Sequence, residues 1–180
     1  MGIKNIIVWP DDILEEVSSE VEDFESAKVV VDDLIDTMEA YMGVGLSAPQ
    51  LGVSKRIIVI DKNTGNELED HLVMINPVVI DGLGETVSQE GCLSFPGHTF
   101  YVPRCTNLIV KYLDKDFVEN EKVFEGFLSI AIQHEIDHLE GITLVENVNR
   151  EKRRSIKKSL KGFKKRYAEK TENWDPGISR

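Results

Sequence analysis

The chain has 180 residues and a formal net charge of −11, and its composition is 41% hydrophobic and 29% charged. These values fit one globular domain with a substantial core, and so acidic a chain disfavours general nucleic-acid binding. No apolar run is long enough to span a membrane. Because the N-terminus has neither the apolar core of a signal peptide nor an Arg-rich transit segment, we expect a cytoplasmic protein with no membrane partner.

The first part of the chain predicts one helix. Residues 3–8 could form a short strand or an extended arm, and residues 9–12 are typical of a turn. Apolar residues then recur every three or four positions over residues 26–42, which indicates an amphipathic helix ended by Gly43 and Gly45. The apolar stripe of this helix consists of Val30, Leu34, Met38 and Tyr41.

The middle of the chain predicts several strands and then a second helix. Residues 56–61, 72–80, 107–113 and 122–127 are the strand candidates, and residues 128–140 the helix. The strands precede this helix in a run, without regular alternation of strand and helix. That order favours an α+β fold over a doubly wound parallel sheet.

The C-terminal part is strongly basic. Residues 150–170 hold eleven Lys or Arg but only two acids, and they predict a third helix that begins near residues 146–150. We therefore divide the chain into a body of residues 1–149, a basic helix of residues 150–170 packed on it, and a flexible tail of residues 171–180. The predicted apolar stripe of this helix consists of Ile156, Leu160, Phe163 and Tyr167.

The strongest chemical signal is the HExxH pattern of the second predicted helix. His134 and His138 are four residues apart, so both imidazoles can reach one metal ion from the same helix face. Glu135 lies beside them, where a glutamate can act on a water molecule at the metal. The plainer interpretation is a solvated helix face that carries two histidines by chance. The pattern alone indicates a metal-dependent hydrolase and does not identify it.

A catalytic site of this kind usually has a third protein ligand. Leu144 occupies the position where metzincin proteases have a third histidine, which argues against that class. Cys92, Cys105, His71, His98 and several acids remain as candidates. Cys92 follows a glycine in a segment of small residues, but spacing alone supports a ligand and a buried structural cysteine about equally. We interpret Cys105 as structural.

A glycine-rich loop over residues 43–50 is the third notable segment. It matches neither a P-loop nor a dinucleotide-binding fingerprint. The loop could be a simple turn with Gln50 at the surface. Alternatively, the amide of Gln50 could donate a hydrogen bond to a developing oxyanion.

These three segments together resemble the three motifs of the peptide deformylases, in the order in which that family has them. The family motifs are a Gly-x-Gly-Leu-Ala-Ala-x-Gln loop, a Glu-Gly-Cys-Leu-Ser segment and a Gln-His-Glu-x-Asp-His-Leu-x-Gly helix. They correspond here to residues 43–50, 90–94 and 133–141. With shorter matches at residues 9–11, 75–77 and 102–104, the resemblance extends over residues 3–168.

The resemblance implies an α+β fold in which antiparallel strands surround a central helix that bears the HExxH pattern, followed by a C-terminal amphipathic helix. It implies that the enzyme removes the formyl group from the N-terminal formyl-methionine of new polypeptides and releases formate. By position, the metal ligands would be Cys92, His134 and His138. Glu135 would be the general acid/base, and Gln50 with the backbone N–H of Leu93 would hold the oxyanion.

The same resemblance implies substrate contacts, a metal and partners. Backbone groups of Val44, Gly45 and Gly91 would pair with an extended peptide, whose methionine would enter a pocket near Val44, Phe127, Ile130 and Ala131. One divalent ion is expected, Fe(II) in the cell, with zinc, nickel or cobalt as alternatives. The expected partners are N-formylmethionyl nascent peptides and, through the basic helix, the ribosome.

Two departures from the family pattern and two alternative functions accompany this interpretation. Ser47 stands where the family more often has alanine, which we take as a small change on a loop. Residues 97–100 lack the acidic and Arg residues of some members, so the outer subsites differ and His98 becomes a rim residue.

One alternative is a zinc-dependent peptidase, which would not need Cys92 as a ligand. The other is a ribosome- or RNA-binding module with a structural metal, supported only by residues 150–170.

Overall fold

The computed structural model describes residues 2–62 and 71–168, with the backbone alone for residues 162–168. The fold is α+β with three α-helices and two antiparallel sheets in these ranges. The helices are α1 (Phe24–Ala40), α2 (Gly126–Leu139) and α3 (Arg150–Ala168). The strands are β1 (Gly45–Ser47), β2 (Ile57–Asp61), β3 (His71–Leu83), β4 (Thr86–Gly91), β5 (Thr99–Arg104), β6 (Asn107–Leu113) and β7 (Glu119–Glu125). Short 3-10 helices span Asp12–Glu15, Ala48–Leu51 and Leu144–Asn147.

The larger sheet places α2 at the centre of the molecule. Its five strands run in the order β1-β2-β3-β6-β7, all neighbours antiparallel. Alternate residues of β6 are buried, as expected for a strand with one face in the core. Leu108, Val110 and Tyr112 share a buried cluster with Ile132 and Ile136 of α2. The sheet therefore supports the helix that carries the HExxH pattern.

Helix α1 packs in a second core cluster on the same sheet. Leu34 and Met38 are fully buried there with Ile57 and Val59 of β2. The helix was predicted over residues 26–42 and begins two residues earlier, because the side chain of Asp23 accepts a hydrogen bond from the backbone N–H of Glu25.

The third core cluster joins the N-terminal segment, the β4–β5 connection and α3. Trp9 stacks on Phe95 with ring centroids 5.7 Å apart, and Ile156 and Leu160 of α3 are buried in the same cluster. Lys157, Lys158 and Lys161 are exposed, as the amphipathic pattern predicted. The predicted burial of Phe163 and Tyr167, and the predicted tail at residues 171–180, lie outside what the structure describes.

Several predicted elements differ from the structure. Residues 2–8 form an arm without strand pairing. The strand predicted at 122–127 lies at Glu119–Glu125, because α2 already begins at Gly126, where φ is +58°. The sequence did not predict β1 or the separate β4–β5 sheet. Among the described residues, no helix has both the length and the apolar character needed to cross a bilayer.

Candidate metal centre and active-site cleft

Cys92, His134 and His138 come together in the interior. The histidines lie one turn apart on α2, and Cys92 directly follows β4, which ends at Gly91. Their potential ligand atoms all lie within 4.8 Å of one another, with 3.3 Å between the Sγ of Cys92 and the Nε2 of His138. Among the described residues, this is the one group of three or more such side chains that could hold a metal ion. Cys92 is therefore the third member of the cluster that the spacing had left open.

The other candidates from the sequence lie outside this cluster. The Nε2 of His71 is 3.3 Å from the Oε1 of Glu39, a residue of α1. Cys105 follows β5, and its backbone N–H and C=O bind the side chain of Gln133. His98 is among the residues that line a cleft.

A buried charged network fixes the orientation of His134. The Nδ1–H of His134 donates to the Oε2 of Glu90 at 2.8 Å, because an ionised carboxylate can only accept. Arg104 donates twice to Glu90, at 2.8 and 2.9 Å, and once to Asp137 at 2.6 Å. Burial alone would raise the pKa of Glu90, but the bonds from Arg104 and His134 outweigh burial and lower that pKa to about 2. Glu90 is therefore ionised at neutral pH, and the Nε2 of His134 is left to face the cluster.

The cluster fits a single divalent cation. A thiolate with two imidazoles is a common donor set for zinc, iron, cobalt and nickel. Burial, with the nearby charges of His134 and Arg104, holds the pKa of His138 well below its usual value, so this imidazole is neutral, as a ligand must be. Burial would also lower the pKa of His134, but its hydrogen bonds to Cys92 and Glu90 raise that pKa well above the usual value. A metal ion at this position therefore has to replace a proton on His134.

Glu135 lies next to the cluster, and one of its carboxylate oxygens has no hydrogen-bond partner among the described residues. Its side chain is buried, and its Oε2 makes no hydrogen bond within the described residues. Burial raises the pKa of Glu135 to about 7, against the opposing effects of His134 and Ser47. A carboxyl group with such a pKa can accept and return a proton near neutral pH. Gly45 is packed against it, because a Cβ at this position would lie 2.8 Å from the Oε1 of Glu135.

The side chain of Gln50 is held with its NH₂ group towards the cluster. Its Oε1 accepts hydrogen bonds from the backbone N–H of Ser47 at 2.9 Å and from the Ser47 hydroxyl at 2.8 Å. Its Nε2 donates to the Oγ of Ser94 at 3.2 Å and to the Sγ of Cys92 at 3.4 Å. Gln50 is 1% exposed, so the simpler interpretation of a surface residue is wrong.

Gln50, Cys92, His134 and Glu135 line a cleft of about 940 Å³. Exposed apolar side chains border it, with Val44 44% and Phe127 51% exposed. The lining includes every residue that was expected to contact substrate: Val44, Gly45, Gly91, Phe127, Ile130 and Ala131. It also includes residues that sequence reasoning missed, among them Ile6, Val8, Tyr41 and Ser88. No pattern marks these four, because they come from separate segments that only the fold brings together.

An α+β fold whose central helix carries two histidines, with a cysteine and a buried glutamate beside them, defines a metal-dependent amide hydrolase of the HExxH type. The model of the family described as polypeptide deformylase matches residues 3–154. The chain therefore belongs to the polypeptide deformylase family, whose members are metal-dependent. It is a hydrolase that removes the N-formyl group from the N-terminal formyl-methionine of newly synthesised polypeptides.

Relatives and solved structures agree with this assignment. The peptide deformylase of Thermodesulfovibrio yellowstonii is 40% identical over 162 residues, 89% of this chain and 98% of the relative. A peptide deformylase from Legionella pneumophila, known from a crystal structure, has 39% sequence identity to this chain and a TM-score of 0.86. The match covers 94% of this chain and 99% of that chain. A class I type b peptide deformylase from Acinetobacter baumannii with Met-Ala-Ser bound is 31% identical with a TM-score of 0.75, over 81% and 98% of the two chains. The assignment decides against an internal peptidase and against an RNA-binding module with a structural metal.

Proposed function

We propose that Cys92, His134 and His138 hold one divalent metal ion, and that this ion is Fe(II) in the cell. The proximity of the three donor atoms beside Glu135 carries this proposal. Thiolate and imidazole donors also suit zinc, nickel and cobalt, so purified protein can contain those ions instead. When bound, the ion supplies a Lewis acid that polarises oxygen ligands and makes water a better nucleophile near neutral pH.

The formylated peptide lies in the cleft as an added strand. β1 is an edge strand of the larger sheet and β4 belongs to the two-stranded sheet, so backbone groups of Val44, Gly45 and Gly91 are available on its two sides. The methionine side chain enters the apolar part of the cleft near Phe127 and its α2 neighbours. The tripeptide Met-Ala-Ser in the Acinetobacter baumannii enzyme supports this choice of substrate.

The chain's own groups then move the protons and stabilise charge. Glu135 takes a proton from the attacking water and later gives it to the leaving amine. The Nε2 of Gln50 and the backbone N–H of Leu93 donate hydrogen bonds to the oxyanion that forms at the formyl carbon. The products are formate and a peptide with a free N-terminal methionine.

An anaerobic preparation tests this function directly. We expect formate release from formyl-Met-Ala-Ser, one metal ion per chain, and much slower reaction of acetyl-Met-Ala-Ser, because the oxyanion site has to accommodate an additional methyl group. Internal cleavage of an unformylated peptide, or comparable rates on the formyl and acetyl peptides, would contradict the proposal.

We further propose that the enzyme works in the cytoplasm and that the basic face of α3 docks on ribosomal RNA near the exit of the nascent chain. The exposed lysines of a segment with eleven basic and two acidic residues support this, since phosphate contacts dominate such binding. Removing α3 is a poor test, because Ile156 and Leu160 belong to the core.

Charge reversal tests ribosome docking without opening the core. Lys158→Glu with Lys161→Glu should weaken binding to ribosomes, and the wild-type affinity should fall steeply with added salt. Lys115→Glu with Lys122→Glu, two exposed lysines near the β6–β7 hairpin, is the matched control. Equal affinity of both double variants would reject docking through α3.

A further inference from the structure

Ser47 is the last residue of β1. It stands where the first deformylase motif more often has alanine. It is fully buried, with 0% of its surface exposed, so it cannot contact the substrate directly. A buried hydroxyl without partners is costly, whereas one that is hydrogen-bonded fixes the groups around it. The contacts of this hydroxyl therefore indicate what the serine does.

The hydroxyl of Ser47 acts on the orientation of Gln50. Two donors from Ser47, its backbone N–H at 2.9 Å and its Oγ at 2.8 Å, bind the same Oε1 of Gln50. A flipped carboxamide would place its own NH₂ group against both donors. The amide therefore has one favourable orientation, in which Nε2 is directed towards Cys92, 3.4 Å away.

The side chain of Ser47 is also near Glu135, and it opposes the effect of burial by lowering the pKa of that carboxyl. Ser47 thus lies between the group proposed to donate to the oxyanion and the group proposed to move the proton. An alanine at this position would keep the backbone N–H bond to Gln50 but lose the hydrogen bond from the hydroxyl.

We infer that Ser47 is a positioning residue for deformylation, whose hydroxyl holds the carboxamide of Gln50 with its NH₂ group towards the reacting oxygen. The inference rests on the proposed role of Gln50. It assigns a function to a side chain that touches neither substrate nor metal ligands, and it gives a physical consequence to the replacement of alanine by serine.

A double-mutant cycle tests the inference in the metal-loaded enzyme. Ser47→Ala should lower kcat on formyl-Met-Ala-Ser by about two- to tenfold, the value of one hydrogen bond, with little change in KM. In a Gln50→Ala background, Ser47→Ala should add no further loss. The fold should accept the substitution, since it removes one oxygen atom and alanine is the family's more frequent residue.

Ser18→Ala is the matched control, because Ser18 is also buried but its Oγ has no hydrogen-bond partner in the described part of the chain. It should leave kcat unchanged. A second readout is the pair of side-chain NH₂ resonances of Gln50 in ¹⁵N-labelled protein. These should shift or broaden in Ser47→Ala and not in Ser18→Ala.

Three other results would count against the inference or against the role of Gln50 on which it rests. Unchanged kcat and unchanged Gln50 resonances in Ser47→Ala would overturn the inference while leaving the role of Gln50 intact. An equal loss in both backgrounds would overturn it too, because Ser47 would then act through Glu135. Full activity of Gln50→Ala would instead remove the proposed oxyanion role on which the inference rests.

Discussion

The two imidazoles of the metal centre come from one helix, but the protein holds them in different ways. The Nδ1 of His134 is bonded to Glu90, which Arg104 binds in turn. The Nδ1 of His138 is buried without a hydrogen-bond partner among the described residues. His134 is thus fixed by charged hydrogen bonds, whereas His138, which is 1% exposed, is held by packing and by the contact of its Nε2 with the Sγ of Cys92.

This difference divides the site into two sides. One side, the rigid side, is fixed by charged hydrogen bonds, and the groups of the other side are available to the metal ion and the substrate. The network behind His134 contains three ionisable side chains, namely Glu90, Arg104 and Asp137. The opposite side holds Cys92, His138 and the NH₂ group of Gln50. Substitutions on the two sides should therefore have separable effects on metal affinity and on turnover.

The largest effect should come from Glu135, which lies between the two sides. Glu135→Ala should lower kcat by about 100- to 10,000-fold, the usual contribution of a general acid–base group. Metal content, measured by elemental analysis, should stay at the wild-type level because all three ligands remain. A loss of only a few-fold would contradict the assigned role.

The second effect concerns Cys92. Cys92→Ser should weaken metal affinity by more than about 100-fold, because a hydroxyl is a poor replacement for a thiolate and each ligand of such sites contributes several kcal/mol. Cys105→Ser is the control and should leave metal content unchanged. If metal follows Cys105 instead, the ligand set is wrong.

The third effect separates turnover from metal binding. The Cβ of Gly45→Ala would lie 2.8 Å from the Oε1 and 3.0 Å from the Cγ of Glu135, so that carboxyl must move. We expect kcat to fall by about 100-fold, as for a displacement of roughly 1 Å at a catalytic group. Wild-type kcat at full metal occupancy would show that the site tolerates this shift.

The smallest effect tests the rigid side of the site. Glu90→Gln removes the negative charge behind His134, and metal affinity should fall by about 10- to 100-fold in a competition titration with a chelator. The control is Glu140→Gln. It removes a negative charge just beyond the end of α2, where the half-exposed carboxylate pairs with Arg56. That exposed pair should matter little. Equal affinities of the two variants would mean that the Glu90 network does not orient the ligand.

The sequence predicted those elements whose apolar residues recur with a regular period over a short stretch. Helix α1 follows from its apolar stripe, and β6 has the predicted bounds because its apolar residues alternate. The β4–β5 sheet was missed because β4 is polar, and its buried position is Glu90, which the core accepts only with Arg104 beside it. Residues 90 and 134 are 44 positions apart, and no local rule connects them.

The candidate site divides in the same way. The spacing of His134 and His138 predicted a shared helix face, but spacing left Cys92 undecided, because its position depends on how β4 meets α2. Ser47 was taken as a small change on a loop. Its importance became visible only through its hydrogen bonds to the side chain of Gln50, which the sequence had placed at the surface as one possibility.

The burial of α3 has a consequence for the order of synthesis. Phe95 supports the turn that begins at Cys92, since its backbone N–H donates to the Cys92 carbonyl at 2.9 Å. The cluster around Phe95 is completed by Ile156 and Leu160, near the end of the described chain. A ribosome must therefore have made the chain at least as far as Leu160 before the cysteine side of the metal centre has its final support. The cysteine side of the metal centre is therefore completed only after α3 has been made, although the enzyme acts on other chains at the start of their maturation.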